Sequence, residues 1–438
     1  MATVTIPFVD LFCGAGGLSI GFEQAGFKSV YAIDNDPFAC QSYALNHPDT
    51  FVKCENIELI NGQDILQTTG LKRIPLLIGG PNCQGVSLRG KRNPSDPKNA
   101  TFFHFRRLVE ELNPDWFMME NVPGLLHRHN RELLTTIFKS FSSIGYTCGG
   151  EVLLAADYGV PQLRYRFILV GNRHDQPIVF PNATHRCSID SDVNSSSVFN
   201  PGLEIPGVER LTIGNAPLWT NMYDAISDLP PIPNGGGSKF IPYSSNSASS
   251  LTDYQRYCRE KSDGFYNHIC HKTNEQNIEL IKHILPGKNW RSIPEEIRPP
   301  RFKKVALKDH TTTYKRLEWD MPSRTITAYF NNITAGAFTH PNQHRGISVR
   351  EAARLQSFPD HYVFEGSLAR QCRQVGNAVP CLMAYKVASL LLECMSGTRG
   401  IQEVHSPAVE YDKSLDTYVI NRPLKGMRFN LDKHLVRN

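Results

Sequence analysis

What this 438-residue chain lacks narrows its function before any motif is read. Its eleven cysteines include no Cys-x-x-Cys pair and show no regular spacing, so a zinc ribbon or a disulfide framework is not expected, and most thiols should be buried and reduced. The nearest approach to a metal cluster is HICH (His268, Cys270, His271), which reads as ordinary polar residues of a loop or helix, and no metal is expected. No uninterrupted apolar run approaches the ~20 residues that a bilayer span needs. The opening MATVTIPFVDLFCGAGG has neither the basic segment nor the long apolar stretch of a signal peptide, from which an intracellular, cytoplasmic protein is expected. Internal repeats are missing too.

What is present describes an ordinary globular protein of two or three domains, with 40% hydrophobic and 20% charged residues. The net charge of +5 is unevenly placed. Lys282 to Arg316 holds ten Lys/Arg against Glu295, Glu296 and Asp309, a local +7 that leaves the remainder near −2. Trp290, Phe302 and Tyr314 are interleaved with those charges, a pattern that fits either a solvated face or a phosphate-binding surface.

Over the first 170 residues, strand-like runs (IPFVDLF, SVYAID, IPLLIGG, DWFMMEN, RFILVG) alternate with helical spacing near 18–26, 37–46, 101–112 and 131–144. That rhythm predicts an α/β fold, a mostly parallel sheet with helices on both faces and ligands at the carboxyl ends of its strands. Ser/Asn/Gly-rich stretches at 188–201 and 234–252 read as loops, and the rhythm is lost from 173 to about 320. Helical patterns return in SVREAARLQSF and CLMAYKVASLLLECM, and the tail after 396 gives no clear signal.

Four stretches carry candidate chemistry. DLFCGAGGLSIGF runs from a strand through a glycine-rich turn into a helix, and Asp34, twenty residues after Gly14, is placed to bind ribose hydroxyls. Ser19 stands where the dinucleotide fingerprint needs its third glycine, which favours a nucleoside cofactor without a pyrophosphate. In GGPNCQGVS, Cys83 sits on a Gly-Pro-Asn turn just after an apolar run, lifted to where a thiolate can reach a substrate. Glu120 and Asn121 end the strand of MMENVPGLL, at the same sheet edge as Cys83, where a carboxyl serves as a helix cap or as a proton donor. Arg164 and Arg166 of QLRYR alternate along an expected strand, which puts both on one face.

In this order the blocks resemble those of the cytosine-5 DNA methyltransferases. DLFCGAGG, GGPNCQGVS, ENVPG, QLRYR, PSRTITAYFNN, REAARLQSFPD and RQVGNAVP match that family over residues 7–172 and 320–392. The family's nucleophile loop usually reads Pro-Pro-Cys-Gln-x-Phe, where this chain has Asn82 and Val86. The resemblance implies a Rossmann-like S-adenosylmethionine-dependent methyltransferase sheet in residues 1–172, an irregular target-recognition domain in 173–320, a return segment in 321–395 that completes the catalytic domain, and a tail from 396 to 438.

It also implies the roles of residues. Cys83 would add to carbon 6 of a flipped-out cytosine, Glu120 would meet ring nitrogen 3 and the exocyclic amine, Arg166 would hold the ring carbonyl, and Arg164 would orient the loop or a phosphate. S-adenosylmethionine would lie against Phe12, Gly14 and Gly17, with Asp34 on its ribose, Asp64 on its adenine amine and Asn377 at its methionine end; Asn35, Ile65, Pro81 and Val379 complete the implied set. The expected substrate is double-stranded DNA and the expected state a monomer, nucleoid-associated, of the restriction-modification or the orphan type, with pairing to a restriction endonuclease left open. A silent DNA-binding relative has no need of Cys83, Glu120 and both arginines together. A transfer-RNA methyltransferase of the same family has a shorter middle region.

Overall fold

In the computed structural model, which describes residues 5–81, 100–187, 216–244, 250–302, 310–397 and 404–422, the strand-helix rhythm of the amino-terminal half is realised almost element by element. Along the chain the described strands are β1 (Pro7–Leu11), β2 (Lys28–Asp34), β3 (Phe51–Cys54), β4 (Leu76–Gly79), β5 (Trp116–Asn121), β6 (Thr147–Leu154), β7 (Gln162–Leu163), β8 (Tyr165–Asn172), β9 (Phe180–Pro181), β10 (Gly237–Pro242), β11 (Gly264–Ile269), β12 (Ser323–Arg324), β13 (Val404–His405), β14 (Val409–Asp412) and β15 (Thr417–Ile420). The α-helices are α1 (Gly17–Gln24), α2 (Pro37–Asn46), α3 (Gly62–Thr69), α4 (Ala100–Leu112), α5 (Arg131–Ser142), α6 (Met222–Ile226), α7 (Asp253–Arg259), α8 (Glu275–Lys282), α9 (Val349–Leu355), α10 (Leu368–Asn377) and α11 (Cys381–Ser396).

The chain divides into two compact units. The first comprises Met1–Tyr158, Tyr165–Leu218 and Met383–Asn438; the second comprises Gly159–Arg164 and Trp219–Leu382. This division differs from the boundaries read in the sequence. Most of the expected return segment, up to Leu382, belongs with the second unit, and the described part of the tail belongs with the first.

The first unit is built on a nine-stranded sheet in the order β15-β14-β6-β8-β5-β4-β1-β2-β3. Strands β3, β2, β1, β4 and β5 are parallel, and β8 runs antiparallel to both β5 and β6. The central strands are apolar on both faces: Phe8, Val9 and Leu11 of β1, Leu76 to Ile78 of β4 and Phe117 to Met119 of β5 are fully buried. Such side chains contribute about 1.5–3 kcal/mol each. Sharp local signals set the helix starts: Asp36 caps α2 by accepting from the Phe38 and Ala39 N–H groups, with Pro37 at the first helical position.

Strand β6 was not expected, because TCGGEVLL carries two glycines. Both glycines are required by packing. A Cβ at Gly150 would come within 2.5 Å of the Phe167 ring, and one at Gly149 within 2.8 Å of Pro407. Pro407 belongs to the tail, whose hairpin β14–β15 adds to β6 through the pairs Val409↔Gly150 and Glu410↔Gly149.

The second unit has little sheet: β10 pairs antiparallel with β11, and β7 pairs in parallel with β12 over two residues. The apolar stretch Leu368–Ser396, with a mean hydropathy of 1.5 over 18 residues, has half of that window buried in the fold, and Pro380 interrupts it between α10 and α11.

Candidate active site

The carboxyl ends of β4 and β5 bring together the base of the cysteine loop and the Glu-Asn pair. Strand β4 ends at Gly79, and Gly80 and Pro81 lead into the loop; Cys83 itself, with Asn82 and Val86, lies outside the described residues. Asn121 is buried and its amide donates to the Pro81 carbonyl at 3.1 Å, so the end of β5 holds the root of the loop. A Cβ on Gly80 would sit only 3.1 Å from Glu120 Oε2, which puts the catalytic carboxyl candidate directly against that root.

Glu120 is paired across the sheet with Arg166 of β8, at 2.5 Å from Oε1 to Nε, and each side chain keeps about an eighth of its exposure (13% and 12%). Burial pushes the Arg166 guanidinium below its ordinary range, and the neighbouring Glu120 charge opposes that shift. The result is a charge pair that is largely desolvated yet reachable from the strand ends, as a site for polarising a heterocycle requires.

Arg164 does not share that face. The expected continuous strand is broken: Gln162–Leu163 pair with β12 of the second unit, and the sheet strand begins only at Tyr165. Arg164 therefore turns into the second unit, 2% exposed, and donates to the Ile326 carbonyl at 2.8 Å and the Gly376 carbonyl at 3.1 Å. Gln162 acts beside it, donating to the Leu355 carbonyl at 2.7 Å and to Gln356 Oε1 at 2.9 Å and accepting from the Ile326 N–H at 2.9 Å. Between them these two residues tie PSRTIT, ARLQSF and QVGNAV together. Sequence reasoning missed Gln162 and Gln356; polar residues within apolar helical and strand patterns were the available signal.

The turn after β1 has the features of a nucleoside cradle. Phe12 (φ 61°), Gly14 (φ 54°) and Gly16 (φ 90°) all take left-handed backbone, which for Phe12 is strained. A Cβ on Gly14 would meet nothing within 4 Å, so the turn faces open room, and Phe12 is only partly buried beside it. Asp34 closes the turn: its Oδ2 accepts from the Gly14 N–H and its Oδ1 from the Asp36 N–H, both at 2.9 Å. Each carboxylate oxygen keeps a further lone pair for a ligand hydroxyl. Burial raises the Asp34 pKa, and these two N–H groups oppose the rise. An open glycine, a partly exposed aromatic ring and a carboxylate with free lone pairs fit an adenosyl group.

The other expected cofactor residues are placed unequally. Gly17 begins α1 and is buried, and Asn35 is exposed next to Asp34. Ile65 is fully buried in the core. Asp64 is exposed and forms a capping box with Asn61 at the start of α3, so it has a helix-terminal task. Asn377 is exposed and Val379 buried, both in the second unit.

Beneath the turn lies a hydrogen-bonded chain that the sequence reading did not single out. Asp10, inside FVDLF, is 1% exposed; its Oδ2 accepts from the Ser19 hydroxyl at 2.6 Å, which in turn accepts from the Tyr43 hydroxyl at 2.6 Å. Burial pushes the Asp10 carboxyl up to about 8, with Ser19 opposing and Asp34 adding to the rise. A carboxyl inside an apolar run was the signal.

In the middle region the aromatic rings are packed away and the basic residues are placed unequally. Trp290, Phe302 and Tyr314 are at most 6% exposed and form a core cluster with Ile278, Ile281 and Ile284, Trp290 and Phe302 being stacked at 4.6 Å. They are therefore not free to stack on bases. Lys288 is exposed, whereas Arg316 is buried against backbone carbonyls, and Lys303 and Lys304 lie outside the described residues. In HICH, His268 is buried between Ser348 and the Pro230 carbonyl at 2.9 and 2.8 Å, and no metal-binding cluster occurs among the described residues.

Comparison with known proteins identifies the family. The family model of the C-5 cytosine-specific DNA methylases matches residues 6–393. The type II methyltransferase M.AgeI of Thalassovita gelatinovora is 33% identical, the alignment covering 89% of this chain and 99% of that one. The type II methyltransferase M.DdeI of Desulfomicrobium norvegicum is 32% identical over 87% of each. A candidate DNA modification methyltransferase encoded within an E. coli prophage has the same fold, with a TM-score of 0.65 at 24% identity over 90% of this chain and all of that one. The chain thus belongs to the C-5 cytosine-specific DNA methylases, and its reaction is the S-adenosylmethionine-dependent methylation of cytosine in DNA.

Proposed function

We propose that the reaction runs through a covalent adduct between Cys83 and a cytosine turned out of duplex DNA, with Glu120 and Arg166 acting on the ring. The observation that carries this reading is the Glu120–Arg166 pair, held at 2.5 Å against the root of the cysteine loop.

Carbon 5 of cytosine is a poor nucleophile until a nucleophile adds at carbon 6. Cys83 supplies that nucleophile as its thiolate, and the ring becomes an enamine. Glu120 meets ring nitrogen 3 and the exocyclic amine, where charge develops on addition, and Arg166 holds the ring carbonyl. S-adenosylmethionine, when bound, offers an electrophilic methyl group to carbon 5. Loss of the carbon 5 proton to a base then lets the Cys83 sulfur leave. Phe12, Gly14, Gly17 and Asp34 would hold the cofactor. Arg164, with both its carbonyl bonds in the second unit, is a positioning residue.

A base inside the stack is out of reach of a thiol, so the target nucleotide has to be flipped, and duplex DNA is the substrate form. The type II methyltransferases among the relatives support a pairing with a restriction endonuclease. The test is a duplex carrying 5-fluorocytosine at the methylated position, whose carbon 5 substituent cannot leave as a proton. With S-adenosylmethionine present, a denaturant-stable adduct should form and map to Cys83. Cys83→Ser should form none while still binding DNA. An adduct on another residue, or turnover by Cys83→Ser, overturns the assignment.

A further inference from the structure

Two thiols converge on Asp34 from different elements. Strand β3 pairs with β2 so that Cys54 stands opposite Asp34. Helix α2 starts just after Asp34, at the Asp36 cap, and its first turn brings the Cys40 thiol to the Asp34 carbonyl, to which it donates at 3.3 Å. The Glu55 N–H donates to the same carbonyl at 3.0 Å. Helix α2 also packs on β3, so the Cys40 thiol lies beside the strand end that carries Cys54. Cys40 is buried and Cys54 exposed. One thiol is therefore open to an external reagent and the other is held behind it, the layout of an attacking and a resolving cysteine.

We propose that Cys40 and Cys54 are a reversible thiol–disulfide pair, closed by low-molecular-weight disulfides such as oxidised glutathione, and that closing it weakens the cofactor site through Asp34. The Cys54 thiolate attacks one sulfur of oxidised glutathione, forming a mixed disulfide and releasing one glutathione thiolate. Cys40, losing its proton to solvent, attacks the Cys54 sulfur and releases the second glutathione. The two protein thiols are oxidised by two electrons, and the glutathione disulfide is reduced to two thiols. Burial raises the pKa of the Cys40 thiol, so Cys54 is the sulfur that reacts first.

Closure has a local consequence. A disulfide brings its two sulfurs to about 2.05 Å, which draws the first turn of α2 towards β3 and removes the Cys40 donor from the Asp34 carbonyl. Asp34 fixes the glycine turn through the Gly14 N–H, so its displacement reaches the cradle. This second half rests on the reading of Asp34 as a ribose ligand.

The full-length protein, treated with oxidised glutathione and digested with trypsin without reduction, should yield residues 29–53 joined to residues 54–72. Cys40→Ser should instead leave Cys54 as its glutathione mixed disulfide. Cys54 found only as a mixed disulfide in the unmutated protein, or joined to Cys13, overturns the pair. S-adenosylmethionine binding, measured by calorimetry, should weaken about tenfold or more on oxidation, recover with dithiothreitol, and be insensitive to oxidant in Cys54→Ser. A formed disulfide with unchanged affinity overturns the coupling, provided Asp34→Ala does weaken binding. If Asp34→Ala binds normally, the ribose reading of Asp34 fails and the coupling with it, while the peptide map still decides the pair.

Discussion

In the first unit, buried carbonyls are taken up by neighbouring strands; in the second, many are taken up by arginine side chains. Across β1, β4 and β5 the ladder does the work, and the side chains are free to be apolar. In the second unit Arg316 donates to the carbonyls of Ile281, Ile284, His340 and Gln343. Arg350 reaches those of Tyr266, Pro359 and Tyr362. Arg345 forms a two-pronged pair with Glu351 at 2.8 and 2.7 Å, and Arg354 joins Asp228 and Asp360. A chain with little regular structure still has to satisfy its buried backbone, and a guanidinium with five donors can do so in irregular geometry. The second unit thus uses buried arginine as scaffolding where the central strands of the first use the ladder.

That contrast predicts where each unit breaks. The largest effect should come from Arg354→Met, which takes the cation from buried Asp360, leaving it only the Tyr243 hydroxyl while Asp228 keeps Arg259, and should lower unfolding free energy by about 3–5 kcal/mol. Hydrogen exchange should show the loss in peptides of 219–382 and spare those of β1, β4 and β5; equal loss in both would erase the distinction.

The units should also respond to pH in opposite directions. Burial pushes the His340 imidazole down to about 4, Glu351 opposing, and His268 shifts the same way. Between about pH 6.5 and 4 the unfolded form then binds more protons, so the second unit loses stability as pH falls, by about 3 kcal/mol for His340. Asp10 in the first unit is pushed up to about 8, so the folded form holds its proton, and stability is lost as pH rises from about 4 to 8. Asp10→Asn should flatten the alkaline limb of the first unit, measured by denaturant titration across pH; an unchanged slope assigns it elsewhere.

Substituting each arginine of QLRYR by lysine sharpens the comparison within one motif. Arg166→Lys should cost about a hundredfold in kcat with little loss of stability. Arg164→Lys should cost about 1–2 kcal/mol of stability and less in kcat than Arg166→Lys. The reverse ranking would make Arg164 the catalytic partner. The smallest effect belongs to Lys288→Ala, which should weaken binding of cognate and non-cognate duplexes alike and lower the salt slope by about one unit. An unchanged slope makes Lys288 plain surface.

Local patterns made much of this legible in the sequence. β1, β2, β4, β5 and β8 were apolar runs bounded by turn residues, and the glycine turn, Asp34 and Glu120 lie at strand ends as their flanking runs implied. The failures share a cause, which is that partners distant in sequence decided the outcome. Strand β6 was not singled out, because the ring of Phe167 and the tail's Pro407, which demand Gly149 and Gly150, lie elsewhere in the chain. Two arginines at a spacing of two share a face only if one strand carries both, and this one changes sheets between Leu163 and Tyr165. Interleaved aromatics and lysines have the same composition whether the stretch is a solvated face, a phosphate-binding surface or, as with Trp290 and Phe302, one whose rings pack on each other.

The hairpin β14–β15 also sets an order of events in folding. Strands β1 to β8 leave the ribosome early, but the neighbour that β6 needs arrives only after the whole second unit has been made. Joining them closes a loop from Leu218 to Met383, whose entropic cost grows only slowly with length, while the search for so distant a contact slows the final step. Until then the edge of the sheet at Gly149 and Gly150 stays open to other chains, so the hairpin's arrival ends the period in which the nascent protein is most prone to mispair.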